Sequence, residues 1–362
     1  MTSETVAVAM SGGVDSSVAA ALLKQQGHDV VGITLQLWPK AAADLDRHHG
    51  CCSLDAVEDA RRVATSLQIP YYVLDVQEEF QARVVEPFLS DYQAGRTPNP
   101  CISCNNQVKF DLLLRKARSI GAAALATGHY ARTARDGDAF RLLRAVDPRK
   151  DQSYVLYGLG QEELAAARFP LGTWHKDAVR ARARELGLIT ADKPDSVEIC
   201  FVAGGDYRDL LAHRRADSGG QIRHVDGLPL GTHNGVWNYT VGQRSGLGAL
   251  PRGIAGPLFV VDIDASSKVV TMGPRDSLRQ DRIEVGEMSF IAGAAPASHF
   301  EALVRVRYGA PAVPARVEVA GDARTATVAP DEPLSAASPG QAAVLYDGEA
   351  VIGGGRILRR VA

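Results

Sequence analysis

The fold of this chain is decided by residues 6–23, which read Val6-Ala7-Val8-Ala9-Met10-Ser11-Gly12-Gly13-Val14-Asp15-Ser16-Ser17-Val18-Ala19-Ala20-Ala21-Leu22-Leu23. The apolar run at 6–10 predicts a buried strand, and apolar residues then continue at helical spacing from 18 to 23. Two glycines between them let the backbone turn tightly and bring N–H groups close to a phosphate. The first turn of the helix offers further unpaired N–H groups and a partial positive charge. The stretch therefore predicts a phosphate-binding loop between a strand and a helix.

The loop differs from two common nucleotide-binding loops, because it has no lysine of the Walker A kind and no G-x-G-x-x-G pattern. The hydroxyls of Ser11, Ser16 and Ser17 can donate to phosphate oxygens, and Asp15 can hold Mg²⁺ against the phosphates. The competing interpretation is a plain turn whose serines cap the helix. The complete seven-residue string, placed directly after the first strand, favours the phosphate site.

The first 130 residues alternate short apolar runs with helical patterns, which predicts an α/β fold with a doubly wound parallel sheet. Ligands of such sheets bind at the carboxyl ends of the strands. Besides the first strand and helix, we expect strands at 30–35, 71–76 and 122–126 and helices at 53–67, 110–120 and 175–186.

A second glycine turn, Thr127-Gly128-His129-Tyr130, follows the expected strand at 122–126. In a doubly wound sheet it lies near the same crevice as the first loop. Gly128 is then placed to pass close to adenine or ribose, and His129 to contact phosphate or order the loop. A histidine in a turn is more often structural, but the expected location favours a functional role.

After about residue 215 glycine and proline become dense, and short β-rich runs replace the helical patterns. This texture predicts a small central β module followed by a C-terminal β-barrel. We expect a catalytic domain over 1–210, the module over 211–281 and the barrel over 282–362. The expected strands are 237–241, 258–263, 269–272, 303–308, 313–319, 325–328 and 342–346.

The composition is that of a soluble globular protein, with 362 residues of which 46% are apolar and 23% charged. No apolar run approaches the roughly eighteen residues that span a bilayer. Residues 1–5 lack a basic segment, so the N-terminus predicts a first strand rather than a signal peptide. We therefore expect a cytoplasmic protein with no membrane partner. The net charge of −2 neither proposes nor excludes an RNA partner.

An odd number of cysteines, five, without a secretion signal argues against a disulfide framework. Cys101 and Cys104 form a C-x-x-C in a proline-framed turn before a predicted helix, whose dipole would stabilise the thiolate of Cys104. Cys200 is its natural partner, although its apolar neighbours also suit a small core residue. Cys51 and Cys52 follow His48 and His49, but this spacing is too compressed for the usual four-ligand zinc site.

Several strings of the chain, taken together and in order, closely resemble the tRNA-specific 2-thiouridylases (MnmA), a family of PP-loop ATP pyrophosphatases. The resemblance runs from residue 6 to about 357. The strings are Ser11–Ser17, Ala94-Gly95-Arg96-Thr97-Pro98-Asn99-Pro100 with Cys104-Asn105, Ala126–Tyr130, Lys150-Asp151-Gln152-Ser153-Tyr154, Ile199-Cys200-Phe201, Tyr239-Thr240-Val241-Gly242-Gln243-Arg244 and Pro339-Gly340-Gln341.

The resemblance implies a reaction and its participants. ATP adenylates the C2 carbonyl oxygen of the wobble uridine, at position 34 of the tRNA, with loss of pyrophosphate. Sulfur then displaces AMP and leaves 2-thiouridine. The implied acceptors are the tRNAs for Lys, Glu and Gln. The sulfur is expected from a cysteine desulfurase, a relay protein or free sulfide.

The resemblance also implies that the central module, 211–281, binds tRNA, and it assigns residues by position. Contacts to ATP are implied for Ala9, Met10, Ser11, Gly12, Gly13, Val14, Asp15, Ser16, Leu35 and Gly128. The target base is expected at Asn99, Pro100 and Cys101, and other tRNA contacts at Lys150, Asp151, Gln152, Arg307 and Tyr308. His129 and Gln341 are expected to order the site.

The chain departs from the family pattern at three places. Cys101 stands where better-known members have Asp, Val197-Glu198 stands where they have Thr-Gly, and Ser245 replaces a usual Lys. The first departure bears on the chemistry, because Cys101, Cys104 and Cys200 together can hold a 4Fe-4S cluster with one iron left open for hydrosulfide. We expect this cluster in preference to a persulfide relay. In the relay Cys200 carries the sulfur and Cys104 attacks it, which would join the two as a disulfide.

Two other classes of protein share part of this pattern. Another PP-loop enzyme, such as an amidotransferase or a lysidine synthetase, would have the glycine loop but no need of Cys104 and Cys200. An RNA-binding or iron–sulfur sensor protein would bind tRNA through the barrel without ATP turnover. The sensor interpretation leaves Asp15 and the serine hydroxyls without a role.

Overall fold

A five-stranded parallel sheet forms the first half of the molecule, in a computed structural model that describes residues 4–37, 54–195, 199–202, 206–212, 219–244 and 256–360. In chain order the first seven strands are β1 (Thr5–Ala9), β2 (Asp29–Gln36), β3 (Tyr71–Asp75), β4 (Ala124–Ala126), β5 (Ala131–Asp136), β6 (Ala139–Arg144) and β7 (Ala167–Arg168). The parallel sheet has the order β3-β2-β1-β4-β7, while β5 and β6 form a separate hairpin.

Seven helices are described. They are α1 (Val14–Gln25), α2 (Leu54–Ser66), α3 (Gln77–Phe80, a π-helical turn Gln81–Val85, then Glu86–Gln93), α4 (Pro100–Ser103, π-helical Cys104–Leu113, then Leu114–Ser119), α5 (Gln161–Ala166), α6 (Lys176–Glu185) and α7 (Arg208–Ala212). Short 3₁₀ turns lie at Ser153–Leu156, Val236–Asn238 and Arg275–Leu278.

Alternation along β1 explains why helices cover both faces of the sheet. Val6 and Val8 point to one face, where they pack with residues of α1, α2 and α6. Ala7 points to the other face, where Phe110 and Leu113 of α4 cover it. Both faces are therefore buried, which confirms the expected doubly wound parallel sheet.

A four-stranded sheet forms the central module, with β8 (Gly220–His224), β9 (Pro229–His233), β10 (Phe259–Asp264) and β11 (Val269–Gly273) in the order β10-β11-β8-β9. The strand expected at 237–241 is wrong. The chain there forms the 3₁₀ turn Val236–Asn238, with Trp237 buried. A Cβ on Gly235 would lie 2.4 Å from the Trp237 ring, so the indole folds back onto the glycine and the segment cannot run extended.

Six antiparallel strands close a barrel at the C-terminal end of the chain. They are β13 (Ile283–Phe290), β14 (His299–Arg305), β15 (Val313–Val319), β16 (Ala326–Pro330), β18 (Ala342–Asp347) and β19 (Ala350–Arg360), and the pairing of β13 with β19 completes the circle. Two short strands, β12 (Arg279–Gln280) and β17 (Leu334–Ser335), pair beside it. The strand expected at 303–308 ends instead at Arg305, whose guanidinium Nε donates to the carbonyl of Ala310 across the following turn.

The barrel is joined to the catalytic sheet by a shared core, which we did not expect from the sequence. Strand β6 adds to β19 through the pair Leu143 and Ala350. Tyr154 is fully buried and donates from its hydroxyl to the carbonyl of Ala342 at 2.9 Å. The limits 1–210, 211–281 and 282–362 stay a prediction. Within the described ranges, no helix has the length and apolar character to cross a membrane.

Candidate active site

The glycine loop and the second glycine turn meet where the strand order of the sheet reverses. Strand β1 lies between β2 and β4, all three parallel, so their carboxyl ends share one edge. A Cβ added to Gly128 would lie 2.7 Å from the amide nitrogen of Ser16 and 2.8 Å from the carbonyl carbon of Asp15. Only glycine therefore lets this turn rest on the first turn of α1. The glycine loop and the second glycine turn therefore converge, as we expected from the sequence.

Hydrogen bonds within the loop hold it in an open curve. The hydroxyl of Ser16 accepts from the amide of Ser11 at 3.1 Å and donates to the carbonyl of Gly13 at 3.2 Å. Gly12 has a φ of 69°, and a Cβ there would lie 2.1 Å from the carbonyl oxygen of Ala56 in α2. The N-cap of α1 is Gly13, with no side-chain cap. The serines therefore do not act as N-caps, and this favours the phosphate-binding interpretation.

Replacing Gly128 with alanine tests this convergence. We expect adenylate formation to fall by about tenfold or more, since a clash with backbone atoms must move the first turn of α1 by tenths of an ångström or more. The measurement is ATP affinity and pyrophosphate release. Gly321→Ala is the matched control, because a Cβ at Gly321 meets no atom within 4 Å. Equal rates for both variants would contradict a close approach at Gly128.

A buried lysine supplies the positive charge that the loop itself lacks. The Nζ of Lys176, at the start of α6, lies 2.8 and 2.7 Å from the two carboxylate oxygens of Asp15. The hydroxyl of Tyr130 donates to the same carboxylate at 2.7 Å. Burial and then the Asp15 carboxylate raise the pKa of Tyr130, so the phenol keeps its proton. Asp15 is thus held in place by a cation and a phenol.

Asp195 extends this arrangement away from the loop. Its carboxylate lies 2.9 Å from the Nζ of Lys176, 2.7 Å from the Nζ of Lys150 and 2.6 Å from a guanidinium nitrogen of Arg180. Burial disfavours its charge, but the hydrogen bonds from Lys150 and Lys176 outweigh burial and lower the pKa of Asp195 to about 2. A continuous ionic chain therefore joins Asp15 to Lys150, one of the residues expected to contact tRNA.

His129 has the surroundings of a structural residue. Its Nδ1 lies 2.7 Å from the hydroxyl of Thr127, and its ring contacts those of Phe110 and Phe169. Burial, joined by the nearby Lys109 ammonium, holds the pKa of His129 well below its usual range. A neutral, buried imidazole suits the ordering role expected from the sequence better than the alternative of a phosphate contact.

The proline-framed turn presents Cys101 at the start of α4. The side chain of Asn99 caps this helix by accepting from the amide of Cys101 at 3.2 Å, and Pro100 occupies the first helical position. Cys104 lies one turn further in, where the π-helical segment begins. The helix dipole therefore acts mainly on Cys101, because its effect fades beyond the first turn. We expected it to stabilise the Cys104 thiolate, but Cys104 lies beyond that turn.

Cys104 and Cys200 lie on one side of the catalytic domain. Both are half-buried thiols that pack against the same apolar cluster, which includes Phe201. Cys101 is an exposed thiol. In the part of the chain that the structure describes, no three His, Cys, Asp or Glu side chains are grouped so that they could hold a metal ion. In this arrangement the three thiols do not fit a cluster.

The barrel positions the turn that holds Asn99. The side-chain amide of Gln341 donates to the carbonyl of Thr97 at 2.9 Å, and the amide of Thr97 donates to the carbonyl of Pro339 at 2.8 Å. Gly340, with a φ of 93°, would place a Cβ 2.9 Å from the nitrogen of Thr97. Gln341 therefore has contacts that suit its expected ordering role.

The five residues expected to contact tRNA have different surroundings. Asp151 is 5% exposed and binds Arg305 at 3.1 Å, so its side chain joins the barrel to the catalytic domain, and its expected RNA contact stays a prediction. The side-chain carbonyl of Gln152 accepts from the amide of Tyr130 at 2.9 Å. Lys150 is partly exposed.

Arg307 and Tyr308 are exposed on the turn after β14. Tyr308 is 49% exposed, and partial burial of its phenol is the largest cause that raises its pKa; Asp151 and Cys101 also raise it, while Arg305 lowers it. The barrel therefore brings this tyrosine close to the C-x-x-C turn, where the resemblance leads us to expect the target base.

Sequence reasoning missed two lysines of this site. Lys176 contacts Asp15, and Lys193 donates to the carbonyl of Gly12 at 3.0 Å while pairing with Asp59 at 2.7 Å. Lys176 had one signal, because a cation in the first turn of a helix opposes the helix dipole and needs another reason to be there. Lys193 had none.

Several features named from the sequence lie outside the described residues. They are His48, His49, Cys51 and Cys52 with the zinc alternative, and the departures at Val197, Glu198 and Ser245.

Three sequence profiles of known families match the chain in succession. A profile described as a tRNA methyl transferase HUP domain matches residues 4–204, and one described as a tRNA methyl transferase PRC-barrel domain matches 208–274. A third, described as an aminomethyltransferase beta-barrel domain, matches 280–357.

Similar proteins match over nearly the whole chain. The tRNA-specific 2-thiouridylase MnmA of Geotalea uraniireducens (strain Rf4) is 48% identical over 359 residues, covering 97% of this chain and 94% of that protein. The protein of the same name from Roseiflexus sp. (strain RS-1) is 46% identical over 376 residues, covering 98% and 99%. Among solved structures, a 4-thiouridine synthetase–RNA complex with bound ATP covers 55% of this chain and 45% of that one, with 17% identity and a TM-score of 0.36.

Proposed function

The chain belongs to the tRNA-specific 2-thiouridylase family, and on that premise we propose that it uses ATP to replace the C2 oxygen of a tRNA uridine with sulfur. The observation that supports this most is the convergence of Gly128, the open glycine loop and the charged pair of Asp15 and Lys176 at the switch point of the sheet. Such a site can bind a nucleoside triphosphate through backbone N–H groups and a cation.

The first step is adenylation. The C2 carbonyl oxygen of the uridine attacks the α-phosphorus of ATP, the bond to the β-phosphate oxygen breaks, and pyrophosphate leaves. The loop N–H groups and the Lys176 ammonium are placed to stabilise the charge that grows on the leaving phosphates. Leu35, at the end of β2, is half-buried beside this edge, where it can border the adenine.

Magnesium fits this site only as a companion of the nucleotide. Asp15 is a single carboxylate, and no acidic group completes a cage around it within the described residues. Mg²⁺ is commonly held by one or two carboxylates together with substrate phosphates. Asp15 would hold such an ion, which neutralises phosphate charge when it is bound.

The second step is sulfur transfer, for which we assign Cys104 and Cys200. Sulfur adds to the activated C2 carbon, and AMP leaves with the former carbonyl oxygen. In the persulfide relay, the Cys104 thiolate attacks the inner sulfur of a persulfide on Cys200, the bond to the outer sulfur breaks, and that sulfur leaves as hydrosulfide for C2. The resulting disulfide of Cys104 and Cys200 needs an external thiol to reduce it. The cluster expected from the sequence stays a prediction that the present arrangement of Cys101, Cys104 and Cys200 does not support.

The variant Cys101→Ser distinguishes the persulfide relay from the cluster mechanism. A relay needs two thiols, so Cys101→Ser is expected to keep most of the thiolation rate, within about tenfold. A cluster needs the third thiolate, so the same variant would lose both iron and activity. Iron and acid-labile sulfide are measured after anaerobic purification. The relay would be contradicted if iron and acid-labile sulfide were present in stoichiometric amounts in the wild-type protein and absent from Cys101→Ser.

The tRNA is proposed to reach this site between the catalytic domain and the barrel, with its target base at Asn99 to Cys101 and with Lys150, Arg307 and Tyr308 beside it. We infer that the base is the wobble uridine of tRNAs for Lys, Glu and Gln. For the persulfide relay the sulfur is proposed to come from a cysteine desulfurase, directly or through a relay protein, whereas free sulfide could serve as the source only in the cluster mechanism.

The test of the whole proposal is reconstitution with unmodified tRNA, Mg·ATP, a cysteine desulfurase with cysteine as the source of sulfane sulfur, and a thiol reductant. We expect tRNA-dependent pyrophosphate release and 2-thiouridine in the digested product, both abolished in Asp15→Ala because the nucleotide phosphates lose their anchor. Mass spectrometry also separates sulfur-for-oxygen exchange from the methyl transfer named in the profile descriptions. Normal turnover by Asp15→Ala, or a methylated product, would overturn the proposal.

A further inference from the structure

A cavity of about 330 Å³ lies between the central module and the barrel, away from the glycine loop. Three arginines line it: Arg244 and Arg275 from the module and Arg307 from the barrel, and Phe259 forms part of the wall. We call it the arginine cavity.

The arginine cavity has a net positive lining. None of its three arginines forms an ion pair within the part of the chain that the structure describes. The segment 245–255, which follows Arg244, contains no Asp or Glu in its sequence. Three guanidinium groups that converge without acidic partners are favourable only when an anion or water compensates their repulsion. The lining therefore suits an anionic ligand.

The geometry of the cavity depends on a close contact between the two domains. A guanidinium nitrogen of Arg307 donates to the carbonyl of Ala336 at 2.9 Å, which fixes the direction of that side chain. Gly242 has a φ of 89°, and a Cβ there would lie 2.9 Å from the Cβ of Ala336 and 3.1 Å from Arg307. Glycine at 242 thus lets the module approach the barrel and brings the arginines together.

Arginine suits phosphate because its planar fork can donate two parallel hydrogen bonds. Phe259 is half-buried and adds an aromatic surface on which a nucleobase can stack. A phosphate beside a stacked base is what one nucleotide of single-stranded RNA presents. The cavity adjoins Tyr308 through Arg307, so such a nucleotide would lie close along the strand to the target base.

From these contacts we propose that the arginine cavity binds a backbone phosphate of an unpaired nucleotide in the substrate RNA, with Arg244 and Arg275 as its recognition residues. The inference rests on the proposed function for the identity of the RNA. It explains why a thiolating enzyme carries a module between its catalytic domain and its barrel: the module completes a clamp that neither neighbour forms alone.

The experiment measures tRNA affinity against salt concentration for wild type, Arg244→Ala, Arg275→Ala and the double variant. Each single variant is expected to weaken binding by about tenfold and to reduce the slope of log affinity against log salt by nearly one unit. Arg316→Ala is the matched control, since Arg316 is exposed on β15 away from the cavity, and it should leave affinity and slope unchanged.

The outcomes separate this inference from the proposed function. Unchanged affinity in the double variant, while the wild type still forms 2-thiouridine, would overturn the cavity proposal alone. If the arginine variants have a smaller salt dependence of tRNA binding but the wild-type protein never forms 2-thiouridine, the cavity proposal stands and the proposed function is overturned. If inorganic pyrophosphate competes with tRNA in the wild type but the arginine variants bind tRNA normally, the cavity binds a free anion and the RNA assignment fails.

Discussion

Replacement of Cys104 by serine is expected to leave ATP activation intact and to stop sulfur transfer. Cys104 is half-buried against the cluster that contains Phe201, on the same side of the domain as Cys200 and separate from the loop that holds Asp15. Removing its sulfur therefore leaves the loop, Gly128 and Lys176 unchanged. We expect 2-thiouridine formation to fall by about a thousandfold or more, as for loss of a nucleophile, while tRNA-dependent pyrophosphate release continues.

Cys200→Ser should give the same separation, because the two thiols act in one step and their losses are not additive. Ser103→Ala is the matched control, since Ser103 directly precedes Cys104 in α4 and supplies no thiol. The measurements are pyrophosphate release and the nucleoside composition of the tRNA. Wild-type thiolation by Cys104→Ser would show that the sulfur does not pass through Cys104, and would return another PP-loop chemistry to consideration.

The sequence was enough for contacts that follow from local geometry. The glycines at 12, 13 and 128 follow parallel strands, and the carboxyl ends of parallel strands share one edge, so the meeting of Gly128 with α1 could be predicted. A buried ion pair between distant segments has no such local rule. Lys176 lies 161 positions from Asp15, and only the packing of α6 against α1 brings the two together.

Packing contacts bear on two other expectations. Asp151 belongs to a polar string that suits an RNA contact, but the barrel covers its side chain and Arg305 pairs with it. The run at 237–241 has strand-like residues, yet Trp237 folds onto Gly235 and forms a 3₁₀ turn. The partner of Asp151 comes from a distant part of the sequence, whereas the contact of Trp237 with Gly235 is local, and neither follows from the residue preferences of the segment.

The buried ammonium of Lys176 is the feature whose removal should affect both stability and the first chemical step. It is 7% exposed and lies within 2.9 Å of the carboxylates of Asp15 and Asp195, so it is their shared counter-charge. Breaking such a pair leaves uncompensated charge. We expect Lys176→Met to lower the free energy of unfolding by about 3 kcal/mol, near the lower end for buried pairs because both carboxylates are close to a third exposed.

The loss of Lys176 should lower the rate of adenylation by a larger factor than its effect on folding alone would cause. Without Lys176 the site loses the ammonium that pairs with Asp15, and of the two groups that hold this carboxylate the Tyr130 hydroxyl remains. We expect tRNA-dependent pyrophosphate release to fall by about a hundred- to a thousandfold, with thiolation lost in parallel. Lys116→Met, on the exposed face of α4, is the matched control and should retain normal release.

A second substitution separates the two effects of Lys176. Replacing Lys176 by Gln instead of Met leaves a neutral side-chain amide that can donate to Asp15, so it is expected to retain part of the stability that Met loses, which chemical denaturation measures. It supplies no cation to the phosphates, so pyrophosphate release should stay at the level of Lys176→Met. Recovery of activity together with stability would mean that Lys176 only supports the fold. Stability without activity would place its ammonium in the adenylation step.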